Sequence, residues 1–132
     1  TMMIEEYSAI KKDELRDLFL ALNWKSGNHP EKLFLALNRM DYYVAARDKD
    51  GKLIGLISVL DDGAINAYIV YALVLPEYQH IGIGKKMLSK VLAHYKDFLR
   101  IALISYPESR SFYQSAGFDF CNGEYPMEIS RL

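Results

Sequence analysis

The chain has 132 residues, of which 51% are hydrophobic and 25% charged, a balance typical of a single folded domain over residues 1–132. A formal net charge of -1 excludes the basic excess that nucleic-acid binding usually needs. No apolar run approaches the roughly 20 residues that span a bilayer, and no signal-peptide core is present. One cysteine and three histidines form neither a disulfide framework nor a zinc pattern, so we expect a cytoplasmic protein without metal.

The first half of the sequence reads as two helices and a strand hairpin. Leu15 and Phe19 belong to a set of apolar residues at helical spacing, and Pro30 suits the first turn of a second helix. Asp50 and Gly51 form a strong hairpin signal between two strand-like runs. The predicted elements, in chain order, are a strand over residues 3–8, a helix over 13–22, a helix from Pro30, and strands over 42–47 and 52–60.

The second half continues the alternation of strands and helices, which predicts a layered α/β or α+β fold. Residues 64–75 are a long apolar run, best read as a central strand that Pro76 ends. Asn122 and Gly123 signal a turn near the end of the sequence. The remaining predicted elements are a helix over residues 83–95, a strand over 99–104, a short helix over 108–116, and a final strand pair over 118–121 and 127–130.

The turn between the central strand and the longest helix carries the most chemical information. It runs Gln79-His80-Ile81-Gly82-Ile83-Gly84 and continues into Lys85-Lys86. Backbone N–H groups at a helix N-terminus are free donors, and the helix dipole favours negative charge there. Gly82 and Gly84 remove side chains that would keep a pyrophosphate from the backbone. The turn therefore has the profile of a diphosphate cradle.

Two nucleotide-binding motifs fail at their defining positions. A P-loop requires a glycine where this chain has Gln79 and a serine or threonine where it has Lys86. A dinucleotide fingerprint requires a third glycine where this chain has Met87. A nucleotide-binding protein is therefore disfavoured as an interpretation of the cradle.

The sequence instead resembles the GNAT acetyltransferase superfamily. Gln79, Gly82 and Gly84 match the family pattern of Gln or Arg, two residues, Gly, one residue, and Gly or Ala, and the preceding strand ends in Val-Leu-Pro. Downstream, the order and spacing of Phe112-Tyr113 and Gly117-Phe118 match a second family motif. The resemblance covers nearly the whole chain. It implies a mostly antiparallel mixed sheet of six to seven strands, about four helices, and a splay between strands four and five.

The resemblance also implies a co-substrate, acetyl-CoA, and the residues that bind it. Backbone groups near Val74 are expected to pair with the pantetheine arm, and the turn with the pyrophosphate. Tyr113 matches the family residue that faces the departing sulfur. The expected cofactor-binding residues are Leu73, Val74, Leu75, Gln79, His80, Ile81, Gly82, Ile83, Gly84, Lys85, Lys86 and Phe112.

A general base for the incoming amine is harder to assign from sequence. Glu77 follows the central strand closely and is our candidate; the other polar candidates are Asp61, Asp62 and His80. Some relatives carry an acidic residue where this chain has Tyr71. A water chain, or Tyr68 and Tyr71 as hydrogen-bond partners, are alternatives to a carboxylate.

The leading hypothesis is an N-acetyltransferase that acts on a small amine by direct attack in a ternary complex. A protein or peptide amine is an alternative acceptor, and a CoA-binding module without catalysis is an alternative function. The loop from Trp24 to His29 is either an acceptor-side loop or an ordinary helix connection. A homodimer through the final strand pair is a further expectation, drawn from the family alone.

Overall fold

The computed structural model describes residues 2–132, which divide into two compact units that meet between Ala102 and Leu103. The first unit contains β1 (Met3–Glu6), α1 (Lys12–Ala21), α2 (Pro30–Asn38), β2 (Tyr42–Arg47), β3 (Leu53–Asp61), β4 (Asn66–Val74), α3 (Ile83–His94) and β5 (Arg100–Ala102). Short 3-10 turns cover Lys25–Asn28 and Pro76–Tyr78 in this unit. The second unit contains a 3-10 turn, Pro107–Ser109, and α4 (Arg110–Ser115).

The sheet of the first unit follows chain order, β1-β2-β3-β4-β5. The first three pairings are antiparallel, and β4 pairs with β5 in parallel. Aspartate side chains close both central hairpins: Asp48 accepts the backbone N–H groups of Asp50 and Lys52, and Asp62 those of residues 64–66. These hydrogen bonds, with that of Asn66 foremost, hold the pKa of Asp62 well below its ordinary value.

Helices α1 and α3 pack against the sheet because each has one apolar stripe. On α3 the buried residues Met87, Leu88 and Val91 recur at helical spacing. Gly55 of β3 allows α3 to come close, since a Cβ there would lie 2.9 Å from Met87 Cε. Helix α1 buries its own stripe, which includes Phe19, against the sheet and α2.

A half-buried ion pair fastens α1 to β2. The Arg47 guanidinium donates to both carboxylate oxygens of Glu14, each at 2.9 Å, and also to the carbonyls of Ala9 and Gly51. The hydrogen bonds from Arg47 hold the pKa of Glu14 below its ordinary value of 4.5. The charged form of Glu14 is therefore the one that stabilises the fold.

We expect Glu14→Gln to lower the free energy of unfolding at neutral pH by about 2 kcal/mol, since it removes a two-pronged charged hydrogen bond. A lowered folded-state pKa contributes stability above the unfolded value and loses it as pH falls. The difference between wild type and variant should therefore shrink below pH 4.5. Denaturant titrations at a series of pH values measure the free energies of unfolding of wild type and variant. Glu31→Gln, which removes an exposed pair with Lys12, is the control; equal effects of the two substitutions would contradict the assignment.

The expected sheet of six to seven strands is wrong: the sheet formed by residues 2–132 has five. The predicted final pair, 118–121 and 127–130, adopts no strand, although its sequence alternates apolar and polar residues. A strand is defined by a hydrogen-bonded neighbour, and neither segment has one here. The other predicted strands are present within a few residues of their expected ends. The predicted helix over residues 108–116 divides into the 3-10 turn and α4.

Candidate functional site

Within the first unit, β5 pairs with the N-terminal half of β4 only. On that same side, the C-terminal half of β4 has no neighbouring strand. Pairing with β5 covers only Asn66, Ala67 and Tyr68, whereas β4 continues to Val74. The pairing register with β3 shifts inside this strand, because Ser58 lies opposite Tyr71 and Val59 opposite Ile69. Residue 70 is thus an extra residue, a β-bulge that bends β4 where its two halves meet.

The backbone of Val74 points away from β3. The N–H of Leu75 donates to the carbonyl of Ile54 at 2.8 Å, next to the pair formed by Gly55 and Val74. In an antiparallel ladder this pattern marks Gly55 and Val74 as a pair without mutual hydrogen bonds. The Val74 N–H and C=O therefore face the side of β4 that β5 leaves open. An extended amide chain lying there would find both groups aimed at it.

Gln79 fastens the following turn to the end of β4. Its side-chain Nε2 donates to the Val74 carbonyl at 2.9 Å. Tyr78 holds the same turn from the other side, donating its hydroxyl to Asp48 Oδ2 at 3.2 Å. Burial, and then the bond to Asp48, raise the pKa of Tyr78, so that its hydroxyl stays a donor. The turn is thus tied both to its own strand and to the β2–β3 hairpin.

The N-terminus of α3 offers a set of donors without acceptors. Gly82 is the N-cap in the left-handed region, with φ 93°, and no side chain caps the helix. The first helical bond runs from the Lys86 N–H to the Gly82 carbonyl at 3.1 Å. Within residues 2–132 the N–H groups of residues 82–85 have no backbone acceptor. These four donors and the helix dipole suit an anion.

The surroundings of this helix end leave room for a ligand. A Cβ placed on Gly82 would have no atom of the described chain within 4 Å apart from those of its two chain neighbours, so the glycine faces open space. Ile83 anchors the helix end in the core, being 4% exposed, and so presents only its backbone to the open side. His80, Lys85 and Lys86 are exposed, and no ion pair involves either lysine in the part of the chain that the structure describes. The arrangement fits a pyrophosphate.

The predicted site residues near this turn therefore differ in what they can offer. Leu73 and Leu75 have buried side chains, which leaves their backbone groups as the available contacts. Ile81 and Glu77 are exposed. Asp61 and Asp62 lie at the other end of β4, where Asp61 accepts the Tyr95 hydroxyl and Asp62 closes a hairpin. Both carboxylates accept hydrogen bonds that stabilise the fold, and both lie away from the turn formed by residues 79–84.

On the α1 side of the sheet, three aromatic rings gather around β4. The Tyr71 ring centroid lies 4.9 Å from that of Phe19 and 6.3 Å from that of Trp24. Ser58, opposite Tyr71 in the register, is fully buried, and its Oγ has no hydrogen-bond partner in the described structure. A buried hydroxyl without a partner is unusual and calls for a water or ligand beside it. Sequence analysis missed Ser58; its one signal was a lone polar residue in the apolar run of β3.

The second unit holds the other predicted motif. Tyr113 lies on α4, half-buried, with its ring centroid 5.1 Å from that of Phe112 and 5.8 Å from that of Phe118. The two aromatic neighbours come from the two ends of the motif, which explains its spacing. Burial raises the pKa of Tyr113, so the phenol is a weaker acid than free tyrosine.

Residues 2–132 contain no cluster of three or more His, Cys, Asp or Glu side chains arranged to hold a metal ion. None of the helices in this range combines the length and apolar character that a membrane crossing demands.

Comparison with known proteins identifies relatives over most of the chain. Residues 23–129 match the model of the acetyltransferase (GNAT) domain. An uncharacterized ycf52-like N-acetyltransferase of Prochlorococcus marinus is 31% identical over 89% of this chain and 67% of its own length. The chloroplastic GCN5-related N-acetyltransferase 2 of Arabidopsis thaliana is 36% identical over 55% of this chain, which spans only 29% of that relative. A GNAT family acetyltransferase from Streptococcus pneumoniae TIGR4 superposes with a TM-score of 0.86 at 26% identity, covering all of both chains.

Proposed function

Because the chain belongs to the GNAT acetyltransferase family, as the match over residues 23–129 establishes, we propose that it transfers an acetyl group from acetyl-CoA to the amine of a small molecule. The observation that carries the proposal is the row of unsatisfied N–H donors over residues 82–85, set against open space at Gly82. We also propose that both compact units belong to one acetyltransferase domain, since the family match extends across them.

The cradle residues bind and orient the co-substrate. The N–H groups of residues 82–85 hold the pyrophosphate, and the exposed Lys85 and Lys86 add positive charge beside it. The outward backbone groups of Val74 pair with the pantetheine amides along the open side of β4. Bound acetyl-CoA supplies the activated thioester. The hydrogen bond from Gln79 to Val74 fixes the position of the turn relative to the end of β4.

Tyr113 acts as a hydrogen-bond donor to the departing sulfur. A thiol has a pKa near 8.5 and a free phenol one near 10, so full proton transfer from tyrosine to thiolate is uphill. Burial raises the pKa of Tyr113 further and makes that transfer still less favourable. A donated hydrogen bond stabilises developing negative charge without this cost. Phe112 supports the Tyr113 ring by packing on it.

The amine substrate binds on the α1 side of the sheet, around Tyr71 of β4. Trp24 and Tyr71 present half-buried rings there, and we assign them to the acceptor pocket. An amine with a pKa near 10 must lose a proton before it attacks. Glu77, exposed just beyond β4, is the carboxylate we assign as its base, and Ser58 is suited to hold a water near Tyr71.

Ligand binding provides the direct test. Calorimetry is expected to give a Kd for acetyl-CoA on the order of 1–100 µM, and much weaker binding of pantetheine, which lacks the pyrophosphate. Thiol release is then measured over a panel of small amines and peptide N-termini. Binding with no transfer to any acceptor would favour a non-catalytic module, and transfer to peptides alone would favour a protein acceptor. Absence of affinity for CoA, or binding of ATP or NAD instead, would refute the proposal.

A further inference from the structure

Ser58 is a buried polar residue in the middle of β3. Its side chain is 0% exposed, and its Oγ has no hydrogen-bond partner among residues 2–132. The neighbouring residues of the strand, Ile57 and Val59, are buried and apolar, so the hydroxyl lies in surroundings of low polarity. Burying a hydroxyl without a hydrogen bond costs free energy, and buried polar groups in folded proteins are therefore nearly always paired. We therefore expect a partner from outside the chain.

The Ser58 hydroxyl lies on the α1 side of the sheet. Gly55 faces α3, because a Cβ there would lie 2.9 Å from Met87 Cε. Side chains alternate along a strand, so Ser58 points to the opposite face from Gly55. Its cross-strand partner, Tyr71, shares that face, and the Tyr71 ring packs edge-to-face on Phe19 of α1 with a centroid distance of 4.9 Å. The hydroxyl is therefore next to a side chain that is assigned to the acceptor pocket.

The β-bulge in β4 supplies further polar groups beside Ser58. Residue 70 is the extra residue between the pairs Ser58–Tyr71 and Val59–Ile69, so its backbone falls outside the regular ladder. An enclosed water molecule needs about two to four polar partners. The Ser58 hydroxyl, which can both donate and accept, meets that need together with the main-chain groups at the bulge. This chemistry and the complete burial of Ser58 favour a single water over a larger ligand.

We infer that Ser58 is a positioning residue: it holds one enclosed water against the bulge of β4, and that water fixes the direction of the Tyr71 side chain. Tyr71 directly follows the extra residue, so a shift of the backbone at residue 70 turns its ring. The Tyr71 ring lies 6.3 Å from that of Trp24, the other aromatic residue assigned to the acceptor pocket. The consequence for the amine substrate rests on the proposed function, whereas the water site does not.

The sign of a stability change tests the water site without any substrate. If a water bonds the hydroxyl, Ser58→Ala removes hydrogen bonds and leaves groups at the bulge unpaired, so the midpoint of denaturant unfolding should fall. If the hydroxyl is unpaired, the same substitution removes an uncompensated polar group and the midpoint should rise. A crystal structure of the wild type should show a water within hydrogen-bond distance of Ser58 Oγ and of the backbone at residue 70. A rise in the midpoint, or a hydroxyl bonded directly to a strand carbonyl, would overturn the inference.

A matched pair of substitutions tests the effect on Tyr71. Threonine and valine have nearly the same shape and differ in the hydroxyl, so Ser58→Thr and Ser58→Val share any steric cost. Trp24 is the one tryptophan in the sequence, and its near-ultraviolet circular dichroism reports on the Tyr71 ring beside it. Ser58→Thr should keep the wild-type spectrum, and Ser58→Val should change it. Ile57→Val, on the α3 face of the same strand, controls for lost packing and should leave the spectrum unaltered. Identical spectra for the two variants at residue 58 would contradict the inference.

Steady-state kinetics then connects the water site to the acceptor. For an amine that the wild type acetylates, Ser58→Val should raise the KM about fivefold relative to Ser58→Thr, because a misplaced Tyr71 ring weakens amine binding by roughly the value of one hydrogen bond. The kcat and the Kd for acetyl-CoA should differ by less than about twofold between these variants. Equal KM values would remove Ser58 from the acceptor side. A wild type that acetylates no amine would refute the proposed function, while the crystal structure and the spectra still decide the water site.

Discussion

Gly82→Ala is expected to weaken acetyl-CoA binding about tenfold or more while leaving the protein folded. Gly82 has φ 93°, and an L-residue in the left-handed region costs about 1–2 kcal/mol. A Cβ would meet nothing within 4 Å, so the effect arises from backbone strain and not from a clash. If the turn relaxes to escape that strain, the N–H donors of residues 82–85 change direction. A loss of 1.4 kcal/mol in binding corresponds to a tenfold rise in Kd.

Gly63→Ala is the matched control for this prediction. Gly63 has φ 80° and equally open space around its Cα, but it lies in the β3–β4 hairpin, at the other end of β4. Both substitutions should lower the melting temperature by a similar amount, since both impose the same kind of strain. Only Gly82→Ala should raise the Kd measured by calorimetry. Equal affinities in the two variants would show that the α3 N-terminus does not hold the ligand.

The sequence predicted the strand, turn and helix that form the proposed cradle because their determinants are local. A strand that ends at a proline, a turn with two glycines and a long amphipathic helix follow one another within residues 64–95, and each has its own short-range signal. The backbone donors that matter there are a property of any uncapped helix start. The structure adds the left-handed conformation of Gly82 and the Gln79 bond to Val74, which depend on the path of the turn as well as on residue type.

Features that depend on contacts distant in sequence were not predictable in the same way. Ser58 became a candidate only when the register placed it opposite Tyr71, beside the bulge at residue 70. The sequence does not reveal that the carboxylates of Asp61 and Asp62 accept hydrogen bonds from Tyr95 and from the β3–β4 hairpin. The final strand pair was predicted from a correct pattern, but a pattern cannot specify the neighbour that a strand requires.

Tyr113→Phe is expected to lower the rate of acetyl transfer about 100-fold while changing the Kd for acetyl-CoA less than twofold. The substitution removes a single donor that acts when charge develops on the sulfur, and losses of such donors cost about that much. Packing is retained, because the Phe ring keeps the contacts with Phe112 and Phe118. Single-turnover measurements are needed so that the chemical step, and not product release, is observed.

The pH dependence tests whether Tyr113 acts in its protonated form. Burial raises the pKa of Tyr113 above its ordinary value of 10.0, and a donor works only while protonated, so its contribution is lost only as pH rises through that higher pKa. The ratio of wild-type to variant rates should therefore stay constant from about pH 6 to about pH 9. Tyr125→Phe makes the same change on an exposed ring of the second unit and should leave the rate unaltered. A full-speed Tyr113→Phe enzyme would remove the phenol from the mechanism, and a ratio that already falls below pH 9 would contradict a protonated Tyr113 as the donor.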